Sequence, residues 1–173
     1  LGVNNVITLC PHGYNTMKNI YPASSRNLKV YHYTQILDDL LKKNRIKPSR
    51  AEARLTYHDP CFLGRYNNIY DQPRRILQSI PGIKLVEMER NRRDAFCCGG
   101  GSGNFVTDLL AGSVDSPARI RAREAYATGA DILAVACPSC LTMLTDAVKS
   151  ENLDDKLAVK DISQILKESS CAG

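Results

Sequence analysis

A parallel α/β fold is predicted for this chain by three observations. Short apolar runs alternate with stretches of helical period, the pattern of βαβ units. Prolines or capping residues open several of the helical stretches, and a glycine closes one of them. An internal echo is the third: residues 2–13, GVNNVITLCPHG, align with residues 129–140, GADILAVACPSC, at an offset of 127.

Residues 5–9 form a short apolar run leading to Cys10, and Pro11 then opens a helix to about residue 19. Residues 28–33 alternate and are predicted as a strand. Thr34 is the expected cap of a helix to about residue 43, with Ile36, Leu37, Leu40 and Leu41 on one face. A linker with Pro48 and Ser49 follows. Strands are then expected at 54–58, 83–88, 131–136 and 157–160. Helices are expected at 72–79, from Ser116-Pro117 to about 128 where Gly129 stops it, at 138–149, and after the cap Asp161. Strands alternating with helices in this way give a parallel sheet of Rossmann-like units.

The echo also sets the domain organisation. Gln35-Ile36-Leu37 repeats as Gln164-Ile165-Leu166 at an offset of 129, two residues more than before. Residues 1–45 therefore read as the tail of a first unit, 46–51 as a linker, and 52–173 as a complete second unit. On this reading the chain is cut from a longer parent.

Composition excludes several classes of function. The 173 residues are 43% hydrophobic and 24% charged, as in ordinary globular domains. There is no apolar run of about 18 residues, so no transmembrane segment is expected, and no secretory leader is visible. The net charge of +5 with 6% aromatics suits an anionic ligand or acidic partner and argues against nucleic acid. Seven cysteines are the outlying number.

In parallel sheets, ligands gather at the carboxyl ends of the strands. Cys10, Cys61 and Cys137 follow predicted strands, and Cys97 and Cys98 lie in a loop after one. Topology alone thus brings these sulfurs toward one edge. Thirty-five residues separate Cys61 from Cys97-Cys98-Gly99, and 38 separate Cys98 from Cys137-x-x-Cys140. Three chemistries use clustered thiols. A disulfide needs an oxidising compartment, which nothing here indicates. Structural zinc takes four ligands, usually from two Cys-x-x-Cys knuckles, and only one is present. Iron–sulfur clusters accept widely separated thiolates, and five exceed the four that an ordinary cubane needs. Cys137 at a helix start and Cys140 in its first turn gain from the helix dipole. The glycines at 99, 100, 101 and 103 let backbone amides approach sulfur. Their spacing fails as a dinucleotide or phosphate loop.

Cys61…Cys97-Cys98-Gly99…Cys137-Pro138-Ser139-Cys140 resembles the cysteine-rich CCG domain found in the B-type and D-type components of heterodisulfide reductase and in related iron–sulfur proteins. The stretches 58–67, HDPCFLGRYN, and 85–92, LVEMERNR, are similar to heterodisulfide-reductase-like proteins that accompany electron-transfer flavoproteins. The resemblance implies tandem CCG units, each able to hold a non-cubane [4Fe–4S] cluster. It assigns Cys61, Cys97, Cys98, Cys137 and Cys140 as the ligands of the second unit. Cys10 becomes the remnant of the first unit's Cys-x-x-Cys, with Gly13 in place of the second cysteine. The implied function is an electron-transfer module of an oxidoreductase. It would relay electrons between a flavoprotein or ferredoxin-like donor and a quinone or disulfide acceptor, with a quinone-reducing membrane protein among its partners. Reductive heterodisulfide cleavage and a structural zinc-binding interaction domain are the alternatives. The implied location is the cytoplasm, including the inner face of a membrane through a partner.

Other residues divide between structural and functional readings. His58 is a structural histidine or a hydrogen-bond donor to cluster sulfur. His12 stands in the broken Cys-x-x-Cys, where a metal-site role is the sharper reading. Asp59-Pro60 ends a strand and aims Cys61. Arg90, Arg92 and Arg93 are solvated surface, or they offset sulfur charge or meet an acidic partner. Tyr66 and Tyr70 near Cys61 are expected to pack, with a substrate or partner role as the alternative. Cys171 is a tail residue.

Overall fold

The computed structural model describes residues 2–21, 28–101, 104–107, 110 and 112–170. Six strands occur among these residues: β1 (Asn5–Thr8), β2 (Lys29–His32), β3 (Ala53–Tyr57), β4 (Ile83–Leu85), β5 (Ile132–Val135) and β6 (Ala158–Asp161). The helices are α1 (Pro11–Asn15), α2 (Tyr33–Lys42), α3 (Asp71–Gln78), α4 (Asn104–Thr107), α5 (Pro117–Ala127), α6 (Pro138–Ser150) and α7 (Ile162–Ser170). All strand pairs are parallel. One sheet has the order β4-β3-β5-β6, and β1 pairs with β2 in a second. The expected α/β fold is what forms.

The larger sheet is covered on both faces, and strand alternation decides which side chain goes where. Leu55, Tyr57, Ala134 and Ala136 join Ile76 and Leu77 of α3 and Ile165 and Leu166 of α7 in one apolar layer. Leu133, Val135 and Cys137 face the other way, against Ala118, Ala122 and Ala125 of α5 and Leu144, Ala147 and Val148 of α6. The alanine stripe of α5 lets that helix lie close to the sheet. Tyr14 and Tyr33, from the first 45 residues, are buried in the first layer.

The echo in the sequence has a structural counterpart. β1 pairs with β2 from Asn5↔Lys29 to Thr8↔His32. β5 pairs with β6 from Ile132↔Ala158 to Val135↔Asp161. First-strand positions differ by 127 and second-strand positions by 129. Both α2 and α7 start by the same device. Gln35 Oε1 accepts from the His32 backbone N–H at 3.0 Å, and Gln164 Oε1 from the Asp161 N–H at 2.9 Å.

Several boundaries differ from the sequence expectation. β4 stops at Leu85, not residue 88, because the chain leaves the sheet after the Val86 N–H bonds Leu55 O. The first helix passes at Thr16 into a π-helical turn, Thr16–Ile20. The cap of α2 is His32, not Thr34. The Thr34 hydroxyl instead lies 2.8 Å from His32 Nδ1, and His32 Nε2 lies 3.2 Å from Leu9 O. Carbonyls only accept, so Nε2 carries the proton and Nδ1 accepts from Thr34. The short helix α4 and a 3-10 turn at Arg92–Asp94 have no counterpart in the sequence expectation. Cys171, Ser102 and Gly103 lie outside the described residues.

Ion pairs join the first 45 residues to the rest. Arg75 of α3 reaches Asp38 of α2 through Nε at 2.9 Å and Nη2 at 2.6 Å. Arg75 holds the Asp38 carboxyl below its usual range. The Tyr33 hydroxyl donates to Asp161 at 2.8 Å.

His32 is fully buried and neutral, and burial lowers its pKa from 6.5 to about 4. The unfolded chain therefore binds the extra proton between those values. Stability is complete above about pH 6.5 and falls as pH drops toward 4. At pH 5 the His32 contribution to this loss should be about 2 kcal/mol. Urea unfolding at pH 7 and pH 5 measures it, and His32→Gln should flatten the difference by about that amount.

Candidate metal centre

The five cysteines of the expected set reach one place by three routes. The first route is the end of β5. Cys137 continues the Leu133–Val135 alternation onto the α5/α6 face. It is also the N-terminal capping position of α6, with extended backbone, and Pro138 follows at the first helical position. Cys140 lies in the first turn of α6 and is 3% exposed.

The second route is the loop after β3. The ladder runs one step past the strand, His58 N–H to Ala134 O at 2.9 Å, before Asp59-Pro60 turns the chain to Cys61. Arg74 of α3 clamps Asp59 with two bonds, of 2.7 and 2.9 Å, and grips Glu87 with two more. Asp59 Oδ2 also accepts from the Arg92 N–H at 2.8 Å. This carboxylate fixes both the Cys61 turn and the approach to Cys97. Arg65 adds a second tie through the carbonyls of Arg93 and Ala95. A Cβ on Gly64 would stand 2.5 Å from the Tyr70 ring, so only glycine lets the turn close.

The third route is the loop 95–101. Gly99 has φ +77°, a conformation that favours glycine. Its N–H donates to Cys97 Sγ at 3.3 Å. A Cβ on Gly100 would lie 2.9 Å from Met143 Cγ and 3.7 Å from Cys98 Sγ. The glycines thus bring this loop onto the start of α6, as expected from their number.

The sulfurs gather in one place. Cys98 Sγ lies 3.2 Å from Cys140 Sγ, and Cys61 and Cys97, Cys97 and Cys98, and Cys137 and Cys140 are each near enough to shift one another's titration. All five are free thiols. Cys98, Cys137 and Cys140 are buried, and Cys61 and Cys97 are half-buried.

So many sulfurs cannot all be negative with no cation among them. The neighbouring Cys61 and Cys98 hold the Cys97 thiol down, and Cys97 in turn pushes Cys61 up; Cys98, although lowered by Cys140, ends raised by Cys97 and by burial. Cys140 in turn lowers Cys137 to about 7, helped by the backbone amides of Ser139 and Cys140. Cys140 itself is raised by donating to its neighbours and by burial. Thiols thus donate to thiolates within one cluster. A thiophilic cationic centre would replace those protons and let every sulfur ionise. The donor set therefore fits a metal or metal–sulfide centre.

His58 belongs to the same place. It is 1% exposed, and a ring nitrogen lies within 4.8 Å of both Cys98 and Cys140 Sγ. Burial, reinforced by the charge of Arg121, lowers its pKa to about 3. Arg121 of α5 is 0% exposed, and sequence reasoning missed it. A signal was available: buried positions 118, 121, 122 and 125 form the inner stripe of α5, and 121 is its one charge.

The remaining expected residues lie elsewhere or are otherwise engaged. Cys10 Sγ is 3.8 Å from His12 Nδ1, and the His12 ring packs 4.2 Å from Phe62. Tyr66 stacks on Phe62 and is exposed, while the Tyr70 ring closes against Gly64. Arg90 lies over the Phe96 ring at 4.0 Å and pairs with Glu124, and Arg92 pairs with Asp71 at 2.8 Å. These two arginines are matched by carboxylates, not aimed at sulfur. The Arg93 carbonyl takes the Arg65 tie.

Residues 55–145 match the CCG cysteine-rich domain. The chain belongs to that family. It is 39% identical over 168 residues to a probable iron-sulfur-binding oxidoreductase, FadF, of Bacillus subtilis, covering 96% of this chain and 24% of that protein. It is 39% identical over 171 residues to the EtfAB:quinone oxidoreductase of Syntrophomonas wolfei, covering 95% and 24%. It is 35% identical over 173 residues to the D-type component of the dihydromethanophenazine:CoB–CoM heterodisulfide reductase of Methanosarcina mazei, covering 96% and 41%. The chain thus spans about a quarter of the first two relatives.

The Asp59–Arg74 clamp yields a direct test. Arg74→Leu leaves Asp59 buried beside a lost partner, at side-chain exposures of 5% and 2%. Unfolding by urea should show a loss of about 3–5 kcal/mol. Asp59→Asn/Arg74→Leu together should lose less than the sum of the single changes.

Proposed function

We propose that the chain is the iron–sulfur electron-transfer module of a heterodisulfide-reductase-like oxidoreductase. The observation that carries this reading is the gathering of five free thiols at the carboxyl edge of a parallel sheet, with the Cys98 and Cys140 sulfurs 3.2 Å apart. Relatives described as an iron-sulfur-binding oxidoreductase and an EtfAB:quinone oxidoreductase support it. Cys61, Cys97, Cys98, Cys137 and Cys140 would hold a [4Fe–4S] cluster of the non-cubane kind. Such a group supplies one-electron redox chemistry at low reorganisation cost. The chain's own part is to fix five sulfurs on three rigid supports, bury three of them from water, and hold positive and N–H groups around their charge.

The donor on this reading is a flavoprotein or a ferredoxin-like protein, and the acceptor is a quinone reached through a membrane protein, or a disulfide. No helix among the described residues is long and apolar enough to cross a membrane, so membrane contact would come through a partner. The half-buried sulfurs, Cys61 and Cys97, lie beside the Phe62–Tyr66 stack and mark the side open to such partners.

Anaerobic purification followed by iron and acid-labile sulfide analysis tests the assignment. The expected result is about four irons with matching sulfide per chain, and broad absorbance near about 400 nm. Cys98→Ser should lose most of that iron while the fold persists, because serine has the same shape as cysteine and is only slightly smaller. Colourless protein with one zinc and no sulfide would instead establish the structural zinc domain. Oxidation of a reduced dye by a heterodisulfide, catalysed by the loaded protein, would identify a disulfide as acceptor.

A further inference from the structure

His58, Cys98 and Cys140 form a buried trio whose ligand atoms lie within 4.8 Å of one another. Taken by distance alone, the trio offers His58 as a metal ligand. The hydrogen bond on the far side of the ring decides otherwise. Arg121 Nε donates to His58 Nδ1 at 3.2 Å. A guanidinium has donors only, so Nδ1 must present its lone pair to Arg121. A neutral imidazole has one such lone pair, and its single proton is then on Nε2. An imidazolium would set N–H against N–H and is excluded by the same contact.

Nε2 is the ring nitrogen without a protein partner, and it is buried from solvent. An unpaired donor at that depth is costly, and a ring nitrogen of this buried imidazole lies within 4.8 Å of the Cys98 and Cys140 sulfurs. Arg121 is itself held in place. Its Nη1 donates to Glu124 at 2.8 Å and to the Arg90 carbonyl at 2.8 Å. The tautomer is therefore set by a side chain that cannot turn away without breaking three contacts.

We propose that His58 is a hydrogen-bond donor to the sulfur centre through Nε2–H, not a ligand, and that Arg121 is the positioning residue that fixes this tautomer. The inference rests on the iron–sulfur reading above and adds a function to it. An N–H directed at sulfur favours the more negative state, so it raises the reduction potential. Removing it should leave the centre assembled but harder to reduce.

The test uses the protein isolated anaerobically with its cluster, labelled with ¹⁵N-histidine. Electron–nuclear double resonance on the reduced wild-type protein should show an exchangeable proton and a weak histidine nitrogen coupling. Both should vanish in His58→Phe. In a redox titration poised at the wild-type midpoint, His58→Phe should stand about tenfold further toward the oxidised form, 59 mV for a one-electron couple. His58→Gln, whose amide can donate from nearly the same position, should stay close to wild type. A strong nitrogen coupling of iron-bound imidazole would overturn the donor role. So would a loaded His58→Phe protein with an unchanged potential. Wild-type protein without iron and sulfide would overturn the inference together with the cluster itself, which metal analysis distinguishes from the other two results.

Discussion

Negative charge on crowded sulfur is the constraint that organises this molecule. At contact distance in a buried site, two thiolates repel by several kcal/mol even at an effective dielectric near 20. Five can coexist only around a cationic centre or by sharing protons, and the Cys97 and Cys137 thiols are the ones their neighbours hold down. The surrounding architecture addresses the same charge. Backbone amides at the start of α6 and in the glycine loop point at sulfur. A fully buried arginine and a buried neutral histidine stand behind Cys98 and Cys140. Arg121 is held there by Glu124, the Arg90 carbonyl and His58 Nδ1.

Holding that centre requires rigid supports, and ion pairs away from sulfur supply them. Asp59 is buried, receives both arms of Arg74, and also takes the Arg92 amide. One carboxylate therefore couples two of the three routes to the site. A buried ion pair of this kind is weak evidence for net stability, because desolvation offsets much of its attraction. Its geometric value is clearer, since a bidentate arginine fixes a loop in direction as well as in place. Arg65 performs the same service from the other side of Cys61 with carbonyl acceptors.

Much of this is legible in the sequence, for reasons that differ by residue. Strand ends followed by Cys-Pro, or by Asp-Pro-Cys, announce sulfurs at the carboxyl edge, because parallel topology leaves them nowhere else to go. Gly99 and Gly100 are legible as a class, though the reasons, a positive φ and the Met143 side chain, need coordinates. The sequence places the cap of α2 two residues late, because Thr34 is a good capping type and nothing local shows that it serves the His32 ring instead. Arg121 escapes notice because the helix reads as charged all round, with a low apolar bias. Only the alanines at 118, 122 and 125 betray which face is inner. The arginines at 90 and 92 mislead in the opposite sense. Their closeness in sequence to Cys97 suggests service to sulfur, while their partners, Glu124 and Asp71, come from other segments.

The repeated βαβα segments place a cysteine at the same point in two different settings. Cys10 and Cys137 hold equivalent places after β1 and β5, and Gly13 stands where Cys140 stands. The second half of each repeat starts with the same glutamine cap, yet the capping positions themselves are His32 and Asp161. After Cys137, α6 runs for 13 residues. After Cys10, α1 lasts 5 residues before the helix widens. The Cys10 sulfur lies 3.8 Å from His12, whose ring is packed on Phe62 beside Cys61. Cys10 and His12 thus abut the half-buried side of the sulfur cluster, where Phe62 carries both the His12 ring and the exposed Tyr66 ring, while Cys98, Cys140 and His58 are sealed from solvent on the other side.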